Sequence, residues 1–318
     1  MAVELIGAAG MSAELKQTYD RLLLSVAEQN LVFSNFGEKR NIPARGGKSI
    51  EFRRFEKIVV GSGNHLLTEG TAPTETQATI STVAATISQY GAFAKVSDLL
   101  EAQGFDPIIA EYSEKFGMHM AEVVDTVVRD VLIAGTTIQY ASTAATRTGA
   151  SGVGSGMYLN SAELREAKKT LERQNVKAIE GNLICILHPD NTKDLYADAD
   201  IVNAFQHAAP RGPGNPLLTG ELGTWMGIKF VQTTNLKIWA SLGLSGADVY
   251  GVLLLGKEAY AVTELNALQS RMIIHEKRLS DPMESYSTLG WKAALAAVIL
   301  NQNWMVRIEC NSSQTTAA

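Results

Sequence analysis

Residues 44–58, ARGGKSIEFRRFEKI, carry the glycine, lysine and serine types that bind phosphates in nucleotide-hydrolysing enzymes. Such a loop needs a further glycine five positions before the one that precedes the lysine, and a helix after it. Ile42 occupies that position. After Lys48, the apolar residues Ile50 and Phe52 alternate with polar ones at the period of a strand. The segment therefore predicts a turn followed by a long strand, and not a phosphate-binding loop.

A second stretch, residues 188–200 (HPDNTKDLYADAD), is the best candidate for metal binding or acid–base catalysis. Three of its carboxylates, spaced by four, would share one helix face, as carboxylate ligands of a metal often do. The same letters suit a helix start, because proline and acidic residues favour the first turn. The sequence favours the capped helix; a soluble metal-dependent enzyme that uses Asp190 to Asp200 is the alternative. The candidate residues are His188, Asp190, Asp194, Asp198 and Asp200.

Other side chains capable of catalysis or metal binding are scattered along the chain. The remaining four histidines have no acid or thiol at motif spacing, and Cys185 and Cys310 lack the paired spacing of a zinc site. Nor does any serine or cysteine stand in the setting of a nucleophile elbow. The sequence predicts no catalytic, cofactor-binding or metal-binding residue, no cofactor and no enzyme activity.

The composition is that of a folded protein. The 318 residues are 46% hydrophobic and 19% charged, enough for one complex domain or two. A net charge of −5 argues against a general binder of phosphate backbones, because such proteins carry clustered lysine and arginine. The longest strongly apolar run, at 293–300, is too short to span a bilayer, and the N-terminus lacks a basic signal-peptide region. We expect a protein that is soluble and intracellular when made, without a membrane partner.

Two long strands joined by a turn dominate the first third of the chain. The outgoing strand runs from Lys48 to Val60, residues 61–77 form a turn region, and residues 78–97 return. The apolar alternation slips at Arg53 and Arg54, which predicts a bulge or bend there. At ~3.3 Å per residue the arms would reach about 40 Å. A two-stranded ribbon of this length needs a surface to lie on, because it has little core of its own.

A long helix follows the hairpin. Asp106 is predicted to cap it, Pro107 to occupy its first turn and Gly135 to end it, which gives a length of about 42 Å. Its apolar residues keep the helical period throughout: Ile109, Tyr112, Phe116, Met120, Val123, Val127, Val131 and Ala134. Beyond it, the small residues of 141–156 predict a flexible loop, and strands then alternate with helices.

Seven runs resemble the major capsid protein family of tailed double-stranded-DNA phages, in the N-four-like branch. They are GKSIEFRRFE, LTEGTAP, QYGAFAKVSDLLE, VVRDVLIAGT, HPD after a strand, GELGTWMGIKFVQTT and STLGWKAALAAVIL. The resemblance covers roughly residues 19–309 and implies an α+β chain with the Hong Kong 97-like capsid fold. By segment, it implies an N-terminal arm (1–47), an extended β-hairpin loop (48–97), a peripheral domain with the long spine helix (98–180), an axial domain (181–263), closing strands of the peripheral domain (264–310) and a disordered tail (311–318).

The resemblance also implies a function. The protein would be a structural major capsid protein that assembles with itself, as hexamers and pentamers, into an icosahedral head. That head would enclose double-stranded DNA without sequence-specific contact, with scaffolding, portal and decoration proteins as further partners. The protein would reside in the virion after assembly in the host cytoplasm. Within the same fold, the alternative is an encapsulin-like compartment that encloses a cargo enzyme.

In this family the long hairpin would lie across a neighbouring subunit. Arg53 and Arg54 are adjacent on a strand and therefore point to opposite faces. One of them would meet a carboxylate across the subunit boundary, and Leu66 and Leu67 near the tip would anchor on the neighbour. The alternative is a hairpin that folds back on its own domain with its arginines in solvent.

Overall fold

The computed structural model describes residues 31–42, 47–56, 58, 69–70, 78–103, 108–149, 151–208, 223–265, 271–275 and 285–314. Its helices are α1 (Asp98–Gln103), α2 (Ile108–Ile133), α3 (Ser161–Arg173), α4 (Pro189–Ala197) and α5 (Ala199–Ala208). The strands up to the middle of the chain are β1 (Glu38–Ile42), β2 (Ser49–Phe55), β3 (Ile80–Thr86), β4 (Ser88–Ser97), β5 (Ile138–Tyr140), β6 (Leu183–Leu187) and β7 (Thr224–Trp225). The later strands are β8 (Ile228–Gln232), β9 (Ile238–Trp239), β10 (Val249–Leu255), β11 (Tyr260–Leu265), β12 (Arg271–His275), β13 (Tyr286–Ile299) and β14 (Met305–Cys310).

The first sheet is built around β13, which is antiparallel to β4, β11 and β12. β1 extends this sheet by pairing in parallel with β11. One face of the sheet packs on the long helix α2, where Leu289 and Trp291 of β13 meet Met120, Ala121 and Val124. This contact forms the core of one half of the molecule.

The second sheet has the strand order β5-β14-β10-β6-β8-β7, with β9 also paired to β10. Its central strands β6, β10 and β14 are buried along their whole length, which requires cover on both faces. The run LICIL forms the buried strand β6, as predicted. Burial raises the pKa of the Cys185 thiol in this strand to about 12, so this cysteine is a core residue.

The long helix α2 joins the two halves. Its first half packs on the first sheet, and Val128 and Leu132 near its end pack in the core of the second sheet. Its 26 residues correspond to about 39 Å. The predicted cap at Asp106 and Pro107 lies outside the described residues.

The buried face of α2 is rotated relative to the predicted one. The helical period is confirmed, but the expected Val123 and Val127 are only partly buried, whereas Val124, Val128 and Leu132 are buried. Two neighbouring ridges of this helix are apolar. Periodicity alone therefore does not determine which ridge faces the core, and the packing of the two sheets decides it.

The predicted return strand is divided between two sheets. β2 and β3 pair in unbroken register from Ser49 opposite Thr86 to Phe55 opposite Ile80. The chain then passes directly into β4, which pairs with β13 along ten residues. The second half of the predicted return strand thus belongs to the first sheet and not to a free ribbon.

The closing part of the chain also differs from the expectation. The strands after residue 264 were expected to join one sheet, but β12 and β13 lie in the first sheet and β14 in the second. Burial explains why β14 lies in the second sheet. All six residues of β14 are buried, and a strand of this kind needs cover on both faces, which it has within the second sheet. The tail expectation is wrong for its first residues, since Asn311 N–H donates to Met157 O at 2.9 Å and Ser313 N–H donates to Asp194 Oδ2 at 3.0 Å.

Candidate assembly interface

The base of the hairpin is fixed to its own subunit. Phe52 of β2 is buried, and with Ala85 and Ile87 it packs against Ala294 and Ala296 of β13. These contacts remove an aromatic side chain from water on the inner face of β2 and β3. The described base is therefore part of the first sheet's packing, as the fold-back alternative expects.

Arg54 strengthens that attachment. Its Nη1 donates to the carbonyl of Leu300 at 3.1 Å, and its Nε donates to Glu56 Oε1 at 3.0 Å. The hydrogen bonds from Arg54 and then from Ser81 hold the pKa of Glu56 below its usual value. The predicted bulge at Arg53 and Arg54 is wrong, because Arg54 occupies an inward position that the sequence pattern reserves for an apolar residue. A cation can occupy this inward position because Glu56 and the carbonyl of Leu300 accept its hydrogen bonds.

Arg53 has the opposite environment. It is exposed on the outer face of β2, opposite Thr82. In the part of the chain that the structure describes, neither a hydrogen bond nor an ion pair joins its guanidinium to another residue. The predicted opposite orientation of the two arginines is confirmed, and of the two, Arg53 is the one without a partner among the residues that the structure describes.

A groove runs beside Arg53. One part has a volume of about 720 Å³ and lies between the hairpin base and the end of α3; the adjoining part measures about 830 Å³ and reaches β6 and β8. Both parts contain Glu38, Arg40, Arg53 and Glu258. Arg40 pairs with Glu38 at 2.9 Å and lies over the Phe52 ring at 5.0 Å. The groove therefore has a mixed charge, with Arg53 at its edge.

The other two predicted contacts, Leu66 and Leu67, lie outside the described residues. The last described hydrogen bond between the two arms of the hairpin runs from Glu56 N–H to Thr79 O, at 2.8 Å. Between these two residues the structure describes only Ile58, Glu69, Gly70 and Ala78, which are exposed. The four predicted interface residues are thus one inward arginine, one outward arginine and two leucines without described positions.

Sequence reasoning missed an apolar surface on the first sheet, on the face opposite α2. Phe93 of β4 is 70% exposed there, next to Ile273 of β12 and Tyr286 of β13 in a depression of about 600 Å³. A Cβ on Gly290 would lie 2.9 Å from the Phe93 Cβ, so the glycine makes room for the aromatic residue. The alternation of β4 places Phe93 outward, and this signal was available in the sequence. Exposed aromatic side chains of this kind mark interaction surfaces.

Two cations border that surface. Lys95 Nζ lies 4.7 Å from the centroid of the Tyr286 ring, and Lys292 lines the same depression. The described residues that line the depression include no carboxylate. We refer to the surface formed by Phe93, Ile273, Tyr286, Lys95 and Lys292 as the outer platform.

The candidate metal site at residues 188–200 is used for structure. His188 is the N-cap of α4, as the capped-helix interpretation predicts, and its Nδ1 accepts from Asp190 N–H at 3.2 Å. Asp190 accepts from the Tyr250 hydroxyl at 2.8 Å, and Asp194 binds Ser313. Each of these carboxylates has a neighbour within the protein that accounts for its position.

The other two aspartates of the stretch join α3 to α5. Asp198 accepts from Ser161 N–H at 2.6 Å and from Asp200 N–H at 2.9 Å. Asp200 pairs with Arg165 at 2.6 Å, and this hydrogen bond holds the pKa of Asp200 below its usual value. Among the residues whose positions are described, no three His, Cys, Asp or Glu side chains are grouped for a metal ion.

Sequence reasoning also missed a buried cluster of charged side chains at the end of α2. Glu309 of β14 is fully buried and accepts from Arg147 Nε at 2.8 Å and from Arg307 Nε at 2.8 Å. Arg307 also donates to the carbonyls of Ile133 and Gly135, which caps the helix. The predicted flexible loop 141–156 is packed here, since Arg147 lies 3.7 Å from the centroid of the Trp239 ring.

No helix in the described ranges is long and apolar enough to cross a membrane. No curated protein sequence matches the chain. The structure of the capsid of Ralstonia phage GP4 is similar to it, with a TM-score of 0.70 and 12% identity over 91% of this chain and 93% of that one. The capsid of cyanophage Pam1 matches with a TM-score of 0.69 and 13% identity over 99% and 97% of the two chains.

A virus-like particle from Pyrococcus furiosus matches less well, with a TM-score of 0.54 and 12% identity over 93% of this chain and 100% of that one. At these identities the structural matches establish the fold, which is of the Hong Kong 97 type. The model of a family described as phage capsid protein matches residues 79–306, well over half of the sequence. The chain belongs to the phage capsid protein family.

Proposed function

We propose that this structural capsid protein assembles with copies of itself, as hexamers and pentamers, into the icosahedral head that encloses phage double-stranded DNA. Membership of the capsid family and the fold shared with phage capsids support assembly into a shell and a location in the virion. At the level of residues, the proposal is supported by the base of the hairpin, which packs on β13 through Phe52 and presents the exposed Arg53.

The proposed division of the chain departs from the expected segments, since it moves β4 out of the extended loop and equates the axial domain with the second sheet and its helices in place of residues 181–263. The extended loop comprises β2, β3 and the residues between them, whereas β4 belongs with α2 and the first sheet in the peripheral domain. The second sheet with α3, α4 and α5 forms the axial domain. The N-terminal arm ends at β1, which is attached to the first sheet through β11.

Arg53 is the proposed charge contact of the hairpin with a neighbouring subunit. Its guanidinium is exposed and unpaired among the described residues, whereas Arg54 is engaged by Leu300 and Glu56. An exposed cation of this kind determines the register of an interface more than its affinity. Leu66 and Leu67 are the proposed apolar anchors, because a pair of adjacent leucines in a polar loop is costly to leave in water.

The proposed receiving surface is the outer platform of a second copy. The platform combines exposed Phe93 with Lys95 and Lys292. Residues 61–77 combine two leucines with Glu69 and Glu75 and contain no lysine or arginine. The two surfaces are therefore complementary both in charge and in apolar character.

A compartment that encloses a cargo enzyme is the second candidate function, because the fold is shared with the virus-like particle from Pyrococcus furiosus. The higher TM-scores with phage capsids and the family match favour the phage head. No enzyme activity is proposed, since the aspartates of the candidate metal site all have structural partners.

Electron microscopy of the purified protein tests the shell directly. We expect closed particles of uniform size from the wild-type chain, or from the chain produced with its phage. Subunits that stay soluble and dispersed under both conditions would contradict the proposal. Double-stranded DNA inside phage-derived particles supports the head, whereas an enclosed enzyme would support the compartment.

A further inference from the structure

A buried carboxylate of the long helix holds the chain where the N-terminal arm begins. Asp125 of α2 is 2% exposed. Its Oδ1 accepts from the backbone N–H groups of Val32 at 3.1 Å and Phe33 at 3.0 Å, and its Oδ2 accepts from Val32 at 3.0 Å. Ser34 N–H lies 3.4 Å from Oδ1. Successive backbone N–H groups that converge on one anion form a nest.

A buried carboxylate is usually paired with a basic side chain, but Asp125 is not. No ion pair joins Asp125 to a lysine, arginine or histidine of the described chain. Burial raises the pKa of Asp125 against the opposing effect of the three backbone N–H groups. Its binding partner is therefore the backbone of residues 32–34, and without Asp125 the buried amides of Phe33 and Ser34 would lose this acceptor.

Tyr260 of β11 holds the same turn from the other side. Its hydroxyl donates to the carbonyl of Phe33, and its ring lies against Gly37, where an added Cβ would come within 2.6 Å of the ring. The Phe33 side chain is fully buried in the core of the second sheet, while Leu31 packs on the core of the first. Residues 31–37 thus form a strap that crosses from one core to the other.

The strap leads directly into β1, which pairs with β11 from Glu38 opposite Ala261 onward. The helix carboxylate and the tyrosine therefore determine both the position and the direction of the chain at Leu31. We infer that Asp125 is the residue that positions the first 30 residues of the N-terminal arm, by holding the arm at residues 32–34 in every subunit. The inference rests on the proposed function, because a common starting point matters when many copies build one shell.

Hydrogen exchange of the unassembled subunit tests the anchor. In Asp125→Ala we expect the amides of residues 32–34 to exchange at least tenfold faster than in the wild type, with unchanged exchange in β10. Asp125→Asn keeps one acceptor oxygen and should lie between the two. Glu122→Gln is the matched control, because Glu122 is an exposed acid on the same helix. If Asp125→Ala does not fold, Asp125→Asn decides the matter, with faster exchange at residues 32–34 than in the wild type as the expected result.

Particle assembly tests the functional half of the inference. Asp125→Ala subunits should fold yet give irregular or open particles where the wild type and Glu122→Gln give uniform ones. Unchanged exchange at residues 32–34 would overturn the anchor, and normal particles despite faster exchange would overturn its role in positioning the arm. If the wild type itself never forms particles, the proposed function fails, while the exchange result still decides the anchor.

Discussion

The guanidinium of Arg54 donates to the carbonyl of Leu300, at a distance of 3.1 Å, and so ties the hairpin base to the end of β13. Its neighbour Arg53 is exposed beside the groove and has no hydrogen-bond or ion-pair partner among the described residues. The two adjacent arginines therefore differ in their surroundings: Arg54 is bound within the subunit and Arg53 lies at its surface.

The first prediction separates those roles. Arg54→Ala should lower the free energy of unfolding of the isolated subunit by about 1 kcal/mol, because it removes hydrogen bonds of a partly exposed group. Arg53→Glu should leave that free energy within about 0.5 kcal/mol of the wild type but reduce the yield of closed particles. Urea unfolding and sedimentation measure the two effects. Equal particle yields for Arg53→Glu and the wild type would remove Arg53 from the interface.

The second prediction concerns the outer platform. Phe93 is largely exposed in the isolated subunit, so Phe93→Ser should not lower its stability. The same change should weaken assembly, because it removes the largest apolar side chain of the platform. Leu99, exposed on α1 outside the platform, provides the control Leu99→Ser, which should assemble normally. If the two variants behave alike in sedimentation, the platform has no special role.

The third prediction concerns the buried ion cluster. Glu309→Gln should destabilise the subunit by about 3–5 kcal/mol, because it leaves two arginines near the end of α2 without their shared carboxylate. The exposed pair of Glu166 with Lys169 supplies the control Glu166→Gln, which should cost less than about 1 kcal/mol. Thermal or urea unfolding of both variants decides the matter. A loss as small as that of the control would show that the cluster contributes little.

The fourth prediction is a pH dependence. The pKa of Asp125 is raised in the folded protein, so the folded state binds this proton more tightly than the unfolded state. Its contribution to stability is therefore most favourable at low pH and is lost as the pH rises through the folded pKa. The difference in unfolding free energy between the wild type and Asp125→Asn should fall as the pH rises from about 4, the ordinary value for aspartate. A difference that grows with pH would contradict the direction of the shift.

The sequence predicts elements better than it predicts contacts between them. The long helix, the buried strand LICIL and the hairpin follow from local periodicity and capping residues, which act within a few positions. The rotation of α2 does not, because both its Val123–Val127 ridge and its Val124–Val128 ridge are apolar. Only the sheets that pack against the helix distinguish the two ridges.

The contacts of charged side chains could not be predicted from the sequence either, because they too depend on how distant segments pack. Arg147 and Glu309 are far apart in the sequence, as are Val32 and Asp125, and neither pair lies in a motif. The sequence rule that inward strand positions are apolar also failed at Arg54, because the carbonyl of Leu300, just after β13, accepts its hydrogen bond. Strand alternation correctly predicts that Arg53 and Arg54 face opposite sides of β2, whereas the exposed Phe93 was overlooked although the alternation of β4 indicates it.

The central claim is that the hairpin joins one subunit to the next, and its removal tests that claim most directly. Deleting Gly61 to Gln77 and closing the turn with Asn-Gly leaves the packing of Phe52 and the hydrogen bonds of Arg54 intact. We expect a soluble subunit with wild-type unfolding behaviour that no longer forms regular shells in sedimentation and electron microscopy. Closed particles of normal size from this deletion would show that the hairpin is not what joins the subunits.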